Sequence, residues 1–237
     1  MEYLKISNQT LIEPNAFKLL GACTKRDDAT KIGYFGSGLK YGIAVLLRKN
    51  IDFVVYSGLQ KIDISLKSEI FREKAFNVIH IAGEKTSLTT DMGIDWELWQ
   101  AIREVYCNAL DETNSHHCII NEICPKENET AFYISLENKD MADLIQKWDT
   151  YFSFNRRMLV GDENKIFDSI SDKVNVYRKG IRCYDEFYAS LYDYDFDNIS
   201  INESRVVKWG WEVKEKLAEL WGKYATKSMI RNISKIL

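Results

Sequence analysis

Apolar and polar positions change period along the chain, and the changes mark its elements. Residues 3–8, Tyr-Leu-Lys-Ile-Ser-Asn, alternate as a short strand. Glu13-Pro14-Asn15-Ala16-Phe17-Lys18-Leu19-Leu20 then sets a proline in the first turn of a short helix that Gly21 ends. The polar stretch from Thr24 to Lys31 predicts a mobile loop. An apolar run from Leu39 to Arg48 predicts a buried helix. Three β-like runs follow at 51–57, 61–66 and 76–82, the first two joined by a short glycine-containing turn. Residues 83–94, rich in Thr, Gly and Ser, read as loop.

Asp95 is placed to cap a helix running to about Glu112, along which Leu98, Ile102, Val105, Tyr106 and Ala109 make one apolar stripe. Glu104, Asn108 and Asp111 stand at i, i+4 and i+7 on a flank of that helix. A solvated face would usually mix in lysines, and Arg103 is the only basic residue there. Beyond it the pattern predicts a polar loop over 113–129, a strand over 130–136 and a helix with aromatics over 141–155. A hairpin pairs 174–177 with 181–184 around Lys179-Gly180. The acidic and aromatic run from Asp185 to Asp197 reads as a solvated edge strand with inward aromatics. Asn202 is placed to cap a last helix to about Tyr224, with Val206, Val213, Leu217 and Leu220 inward and Trp209, Trp211 and Trp221 in core or interface. The polar loop puts a domain boundary between 1–128 and 129–237.

At 237 residues, 46% of them hydrophobic, the chain can bury a full core. A net charge of -3 and pI near 5.8 disfavour a protein whose main task is to grip nucleic-acid backbone. No run reaches the ~18 to 20 apolar residues of a membrane span, and the first residues lack a signal peptide's basic flank and apolar core. A cytoplasmic location is expected. Five cysteines at irregular spacing predict buried thiols rather than a disulfide framework. His116-His117-Cys118 with Cys124 fits no paired zinc-ligand spacing. With three histidines and no nucleophile context, a Ser/His/Asp set is dropped.

The stretch with most chemistry in it is Gly33-Tyr-Phe-Gly36-Ser37-Gly38-Leu39-Lys40, glycines crowded ahead of the apolar run. Such a loop leaves unpaired N–H groups at a helix N-terminus, where phosphate binds; it serves equally as a turn packed tightly against a helix. It is not a Walker loop, since Leu39-Lys40-Tyr41 follows Gly38, nor a dinucleotide fingerprint, since Asp52 falls where the acid-bearing strand would begin.

Glu104-x-x-x-Asn108-Ala109-x-Asp111, taken with the glycine loop, resembles the N-box of the GHKL or Bergerat-fold ATPases, which include gyrase, the ninety-kilodalton heat-shock chaperones, histidine kinases and MutL. In that family the glutamate polarises the attacking water, the asparagine binds Mg and the acid supports the site. The resemblance implies those roles for Glu104, Asn108 and Asp111. Ile32-Gly33-Tyr34-Phe35-Gly36-Ser37-Gly38-Leu39 is similar to the family's second glycine box, nearest the chaperone branch. Leu20-Gly21-Ala22-Cys23-Thr24-Lys25 is similar to the start of that branch's lid. ATP and Mg are the implied ligands, with nucleotide contacts at Thr24, Lys25, Gly33, Gly36, Ser37, Gly38, Leu39 and Lys40.

Two departures accompany the resemblance. The family's N-box precedes its glycine boxes, whereas here it follows them, so the implied domain is circularly permuted, as termini that lie close together on a surface permit. The first glycine box, Asp-x-Gly-x-Gly, falls by order on Asn8-Gln9-Thr10-Leu11-Ile12, where Asn8 still offers an acceptor for the adenine amino group. The implied fold class is α+β: a two-layer α/β sandwich of Bergerat type, a mixed sheet with helices on one face, circularly permuted and followed by a C-terminal α/β or helical extension. The implied function is slow Mg-dependent ATP hydrolysis that moves a lid (residues 22–32) and controls association with a protein partner or a second copy. The alternative is a module on the same fold that holds nucleotide without hydrolysing it, or holds none, and works by protein contact through residues 130–237. Nucleic-acid processing is discouraged by the acidic balance.

Overall fold

In the computed structural model, which describes residues 1–18, 31–32, 36–185 and 189–233, Tyr3–Asn8 forms strand β1 and is buried from Leu4 onward. A strand buried on both faces must lie inside its sheet, and β1 does. After α1 (Asn15–Lys18) and α2 (Gly38–Arg48) come β2 (Phe53–Ser57), β3 (Gln60–Ile62), β4 (Ile64–Phe71), β5 (Lys74–Ile81), β6 (Glu84–Thr89), α3 (Leu98–Leu110), β7 (His116–Ile120), β8 (Thr130–Ser135) and α4 (Lys139–Gln146). These belong to a unit spanning Met1–Gln146. Its five-stranded sheet runs β3-β2-β8-β1-β7, and a three-stranded sheet runs β4-β5-β6.

The expected strand at 130–136 is the centre of the larger sheet, with Asn8 opposite Thr130 and Phe53 opposite Ile134. The α+β class holds, but the sheet is not mixed: all four of its ladders are antiparallel. β1 and β2 do run the same way, as a helical crossover requires, yet β8 lies between them and opposes both. Residues opposite one another share a face. Ile6 stands opposite His117 and Phe132, and these meet Tyr106 of α3 and Phe17 of α1 respectively. Helices α1 and α3 therefore cover the face carrying Leu4, Ile6 and Asn8. The other face carries Lys5, paired with Glu129 at 2.6 Å, and Tyr133, whose hydroxyl donates to Cys124 O at 2.8 Å.

Four expectations in this unit change. The run expected as one strand over 61–66 divides between β3 and β4, which belong to different sheets. Residues 83–94 contain β6, which Thr86 and Leu88 bury on alternate positions. Residues 113–129 contain β7, whose histidines alternate faces as strand residues must. Glu97 rather than Asp95 opens α3, its N–H donating to the Gln100 side chain at 2.8 Å.

The helix expected over 141–155 ends at Gln146, and the second unit, Lys147–Leu237, begins with α5 (Trp148–Tyr151). The boundary foreseen near residue 128 thus differs from this division, because β8 is needed to join β1 to β2. β9 (Met158–Gly161), β10 (Lys165–Asp168), β11 (Asn175–Arg178), β12 (Ile181–Asp185) and β13 (Tyr192–Phe196) form a sheet ordered β12-β11-β13-β10-β9, followed by α6 (Gly210–Tyr224) and α7 (Lys227–Ile233). The hairpin around Lys179-Gly180 forms, both turn residues having positive φ, 49° and 82°.

The acidic run is not an edge strand. β13 is central, and its buried Asp193 accepts from Arg156 Nη1 at 2.7 Å and from the Asn175 backbone N–H at 2.8 Å. Asp195 accepts from Ser153 Oγ at 2.8 Å and the Gly180 N–H at 3.0 Å; desolvation raises its pKa, against those hydrogen bonds. Residues 186–188 of that run lie outside the described residues. Asn202 closes a loop, bonding Val206 N–H through Oδ1 at 3.0 Å, and does not cap α6. Val213 and Leu220 are buried as expected, whereas Val206, Trp209 and Trp211 are exposed. Trp221 is half-buried and donates to Tyr194 OH at 3.0 Å. No helix among the described residues is long and apolar enough to cross a membrane.

Candidate functional site

The site is built where α2 meets α3. Gly38 and Gly42 lie one turn apart on α2 and face α3. A Cβ on Gly42 would stand 3.0 Å from Ala101 O, and one on Gly38 would stand 2.0 Å from Glu104 Oε2. Contacts therefore descend α3 as they ascend α2, so the helices are antiparallel and closely packed. Glycine at these positions is what admits the approach. The carboxylate of Glu104, buried to 5% exposure, rests beside the first residue of α2, where a helix presents unpaired N–H groups and its positive end.

Asp111 marks a second contact between α3 and the glycine segment. Its Oδ1 accepts the Ile32 N–H at 2.6 Å, and its carbonyl oxygen accepts from Lys31 Nζ. The segment leading to α2 thus begins at Asp111 and ends at Glu104. Asn108, half-buried, stands between them on the same flank of α3, one turn from each. Gly36 has φ 73°, a left-handed backbone that glycine takes without strain. Its carbonyl oxygen accepts from Lys40 Nζ at 2.8 Å, and Ser37 precedes α2 as its N-cap. Leu39 is half-buried in the first helical turn.

Asn8 reaches the same end of α3 from the sheet. Its side chain lies on the helix-covered face, is 4% exposed, and accepts the Thr10 N–H through Oδ1 at 2.9 Å. The next residue donates Gln9 N–H to Thr113 O at 2.8 Å, just past the end of α3. Glu104, Asn108, Asp111, Gly36, Ser37, Gly38, Leu39 and Lys40 are therefore brought to one helix pair, and Asn8 to the strand end beside it. Thr24, Lys25 and Gly33, with most of residues 22–32 where a lid is expected, lie outside the described residues.

Arg103, the basic residue of α3, adds a contact to the site. Its Nε donates to Glu104 Oε1 at 2.8 Å with both side chains buried, and its guanidinium lies 5.3 Å from the Trp96 ring and 5.2 Å from the Trp99 ring. The Trp99 offset was readable, since a residue four positions before Arg103 shares its helical face; Trp96 precedes the helix, and no helical spacing places it there.

His117 shares a hydrogen bond with Tyr106 OH at 2.8 Å, which ties β7 to α3. Burial, with some help from His116, holds the His117 pKa below its ordinary value. Burial pushes the Tyr106 hydroxyl up to about 12. The His-His-Cys run is thus part of a strand; among the described residues no three His, Cys, Asp or Glu side chains are grouped to hold a metal. A magnesium ion held by one amide oxygen and a ligand's phosphates needs no such group. The described cysteines 107, 118, 124 and 183 form no disulfide; Cys107 and Cys183 are buried as expected, whereas Cys118 is half-buried and Cys124 exposed. Compared with protein-family models, with curated proteins and with solved structures, the chain finds no match.

Proposed function

We propose that this chain is an ATP-binding protein of GHKL type and a slow Mg-dependent ATPase, its N-box helix and glycine loop in permuted order. The observation that carries the reading is the contact of Glu104 with Gly38, which joins two motifs far apart in the sequence at one helix N-terminus. The pairing of β1 with β8 supports the permuted order, because it sets Asn8 on the helix-covered face beside the end of α3. In this reading the backbone of Gly36, Ser37 and Gly38 receives phosphate, and Glu104 takes a proton from the attacking water. Asn108 offers the hard oxygen that Mg uses alongside phosphate, and the ion neutralises phosphate charge when bound. Asp111 holds the glycine segment through Ile32. Asn8 accepts from the adenine amino group. Nucleotide state governs the lid and, through it, association with a partner protein or a second copy in the cytoplasm.

The second reading, a module that works without hydrolysis, draws support from the place of the first glycine box, where Asn8-Gln9-Thr10-Leu11-Ile12 holds neither glycine. Calorimetric titration with ATP, ADP and GTP, with and without Mg, together with phosphate release from ATP, separates the two. Binding with no turnover selects the module, and absence of both defeats the nucleotide reading altogether.

A further inference from the structure

Adjacent residues on a helix point about 100° apart and do not face one another. Arg103 nevertheless turns back to Glu104 and bonds it at 2.8 Å, at 1% and 5% side-chain exposure. Helix geometry does not produce this contact by default, so something must hold the guanidinium there. The two indoles do so: Trp96 and Trp99 flank Arg103 at 5.3 and 5.2 Å. A planar cation stacked on aromatic faces loses less on burial than a point charge would.

The clamp is itself braced. Trp99 Nε1 donates to Glu97 Oε2 at 2.7 Å, and Trp96 packs edge-on against Tyr41 of α2 at 5.3 Å. The turn before Trp96 is tied to the end of α2, where Arg48 donates to the carbonyl oxygens of Thr90, Met92 and Gly93. Both ends of the helix pair are thereby fixed, one by Gly38 against Glu104 and the other by this bracket.

We infer that Arg103 is the positioning residue of the Glu104 carboxylate, and that the Trp96 and Trp99 indoles are the clamp that lets it act. Its Nε holds Oε1, which fixes the carboxylate plane and sets Oε2 against Gly38. The oxygen that accepts a proton is thus kept in place relative to the phosphates. This rests on the ATPase reading above, since it concerns when a proton is taken rather than whether nucleotide binds. Lysine cannot replace the arginine, because an ammonium offers neither the planar stack nor the Nε donor.

Steady-state kinetics and ATP calorimetry on the full chain test this with Arg103→Lys, Trp99→Leu, Trp99→Phe and Glu104→Ala. Arg103→Lys should lower kcat by about 10²-fold, the cost of a misplaced catalytic group, with Kd and KM for ATP within about twofold of the parent. Trp99→Leu should lower kcat in the same selective way, and Trp99→Phe, which keeps an aromatic face, should restore most of it. A purely structural role would lower the melting temperature and leave kcat per folded molecule unchanged. Should Arg103→Lys fail to fold, the two Trp99 variants decide. Parent-like kcat in folded Arg103→Lys, or in Trp99→Leu, overturns the inference while Glu104→Ala, by abolishing turnover, keeps the ATPase reading. A parent protein without turnover defeats the ATPase reading, and this inference with it.

Discussion

Glu104 Oε2 occupies the space that a side chain on Gly38 would need, 2.0 Å from the position of its Cβ. A methyl group there has to displace the carboxylate, and it also narrows the approach to the N–H groups that open α2. Gly38→Ala should lose both nucleotide affinity and turnover while circular dichroism stays native. Gly83, with φ 79° and nothing within 4 Å of an added Cβ, is the comparison: Gly83→Ala carries backbone strain but no crowding. Equal affinity in Gly38→Ala and the parent, measured by calorimetry, would remove the phosphate assignment.

In the proposed reaction Glu104 and Asn108 divide the chemistry between them. Glu104→Ala should reduce phosphate release ~10²- to 10⁴-fold, the usual contribution of a general base, and spare ATP affinity. Asn108→Ala should weaken binding in the presence of Mg and change little in its absence, because only the metal uses its oxygen. A Glu104→Ala protein that hydrolyses at the parent rate points to a different base.

Some of this was legible in the sequence, for identifiable reasons. The α2 and α3 helices and strand β8 announce themselves by long apolar runs or stripes, which local periodicity reports well. β6 and β7 do not, because Glu84, Lys85 and His116 give their positions a loop-like polarity that only pairing with β5 and β1 overrides. Asp193 and Asp195 misled in the opposite direction: acid at alternate positions reads as a solvated edge until Arg156, Asn175, Ser153 and Gly180 arrive from distant segments to satisfy the carboxylates. Within the site, the Glu104, Asn108, Asp111 spacing was readable as one flank of a helix. The Gly38 contact was not, since no spacing rule says which helix faces which.

His117 makes stability depend on pH with a definite sign. Its pKa is lowered in the folded state by burial first and by His116 second, so the unfolded chain takes up a proton near pH 6.5 while the folded ring still resists. Its contribution is complete above that pH and declines as pH falls toward the folded value. The denaturation midpoint of the parent should therefore drop between about pH 7.5 and about pH 5.5 by more than that of His117→Gln, which lacks the titrating ring. Identical pH slopes in the two proteins would show that burial of the His117 ring carries no such linkage.

In the second unit, Asp193 and Arg156 form a buried pair at 2.7 Å with side chains 0% and 5% exposed. Asp193→Ala leaves the guanidinium uncompensated and removes the acceptor of the Asn175 N–H. Breaking one side of such a pair costs roughly 3–5 kcal/mol. Chemical denaturation of Asp193→Ala should show a loss of this size, and Asp193→Asn a smaller one because the amide oxygen still accepts. A loss below about 1 kcal/mol in Asp193→Ala would place the pair with weak surface ion pairs.

The last expectation concerns Asn8, on which the permuted order depends. β1 lies beside β8, and Asn8 faces the helix layer at the end of α3, joined to it through Gln9 N–H and Thr113 O at 2.8 Å. In the proposed site its carbonyl oxygen accepts from the adenine amino group while also receiving the Thr10 N–H at 2.9 Å. Asn8→Asp keeps the acceptor and adds charge, so the Thr10 turn survives and adenine binding should hold or tighten. Asn8→Leu removes the acceptor and should weaken ATP while leaving inorganic phosphate competition unaltered, because phosphate meets the glycine loop. GTP, which presents a carbonyl oxygen where adenine presents an amino group, should bind worse than ATP to the parent and to Asn8→Asp, and about as well as ATP to Asn8→Leu. If Asn8→Leu binds ATP and GTP as the parent does, adenine is not read by β1, and the resemblance in motif order reduces to the helix pair alone.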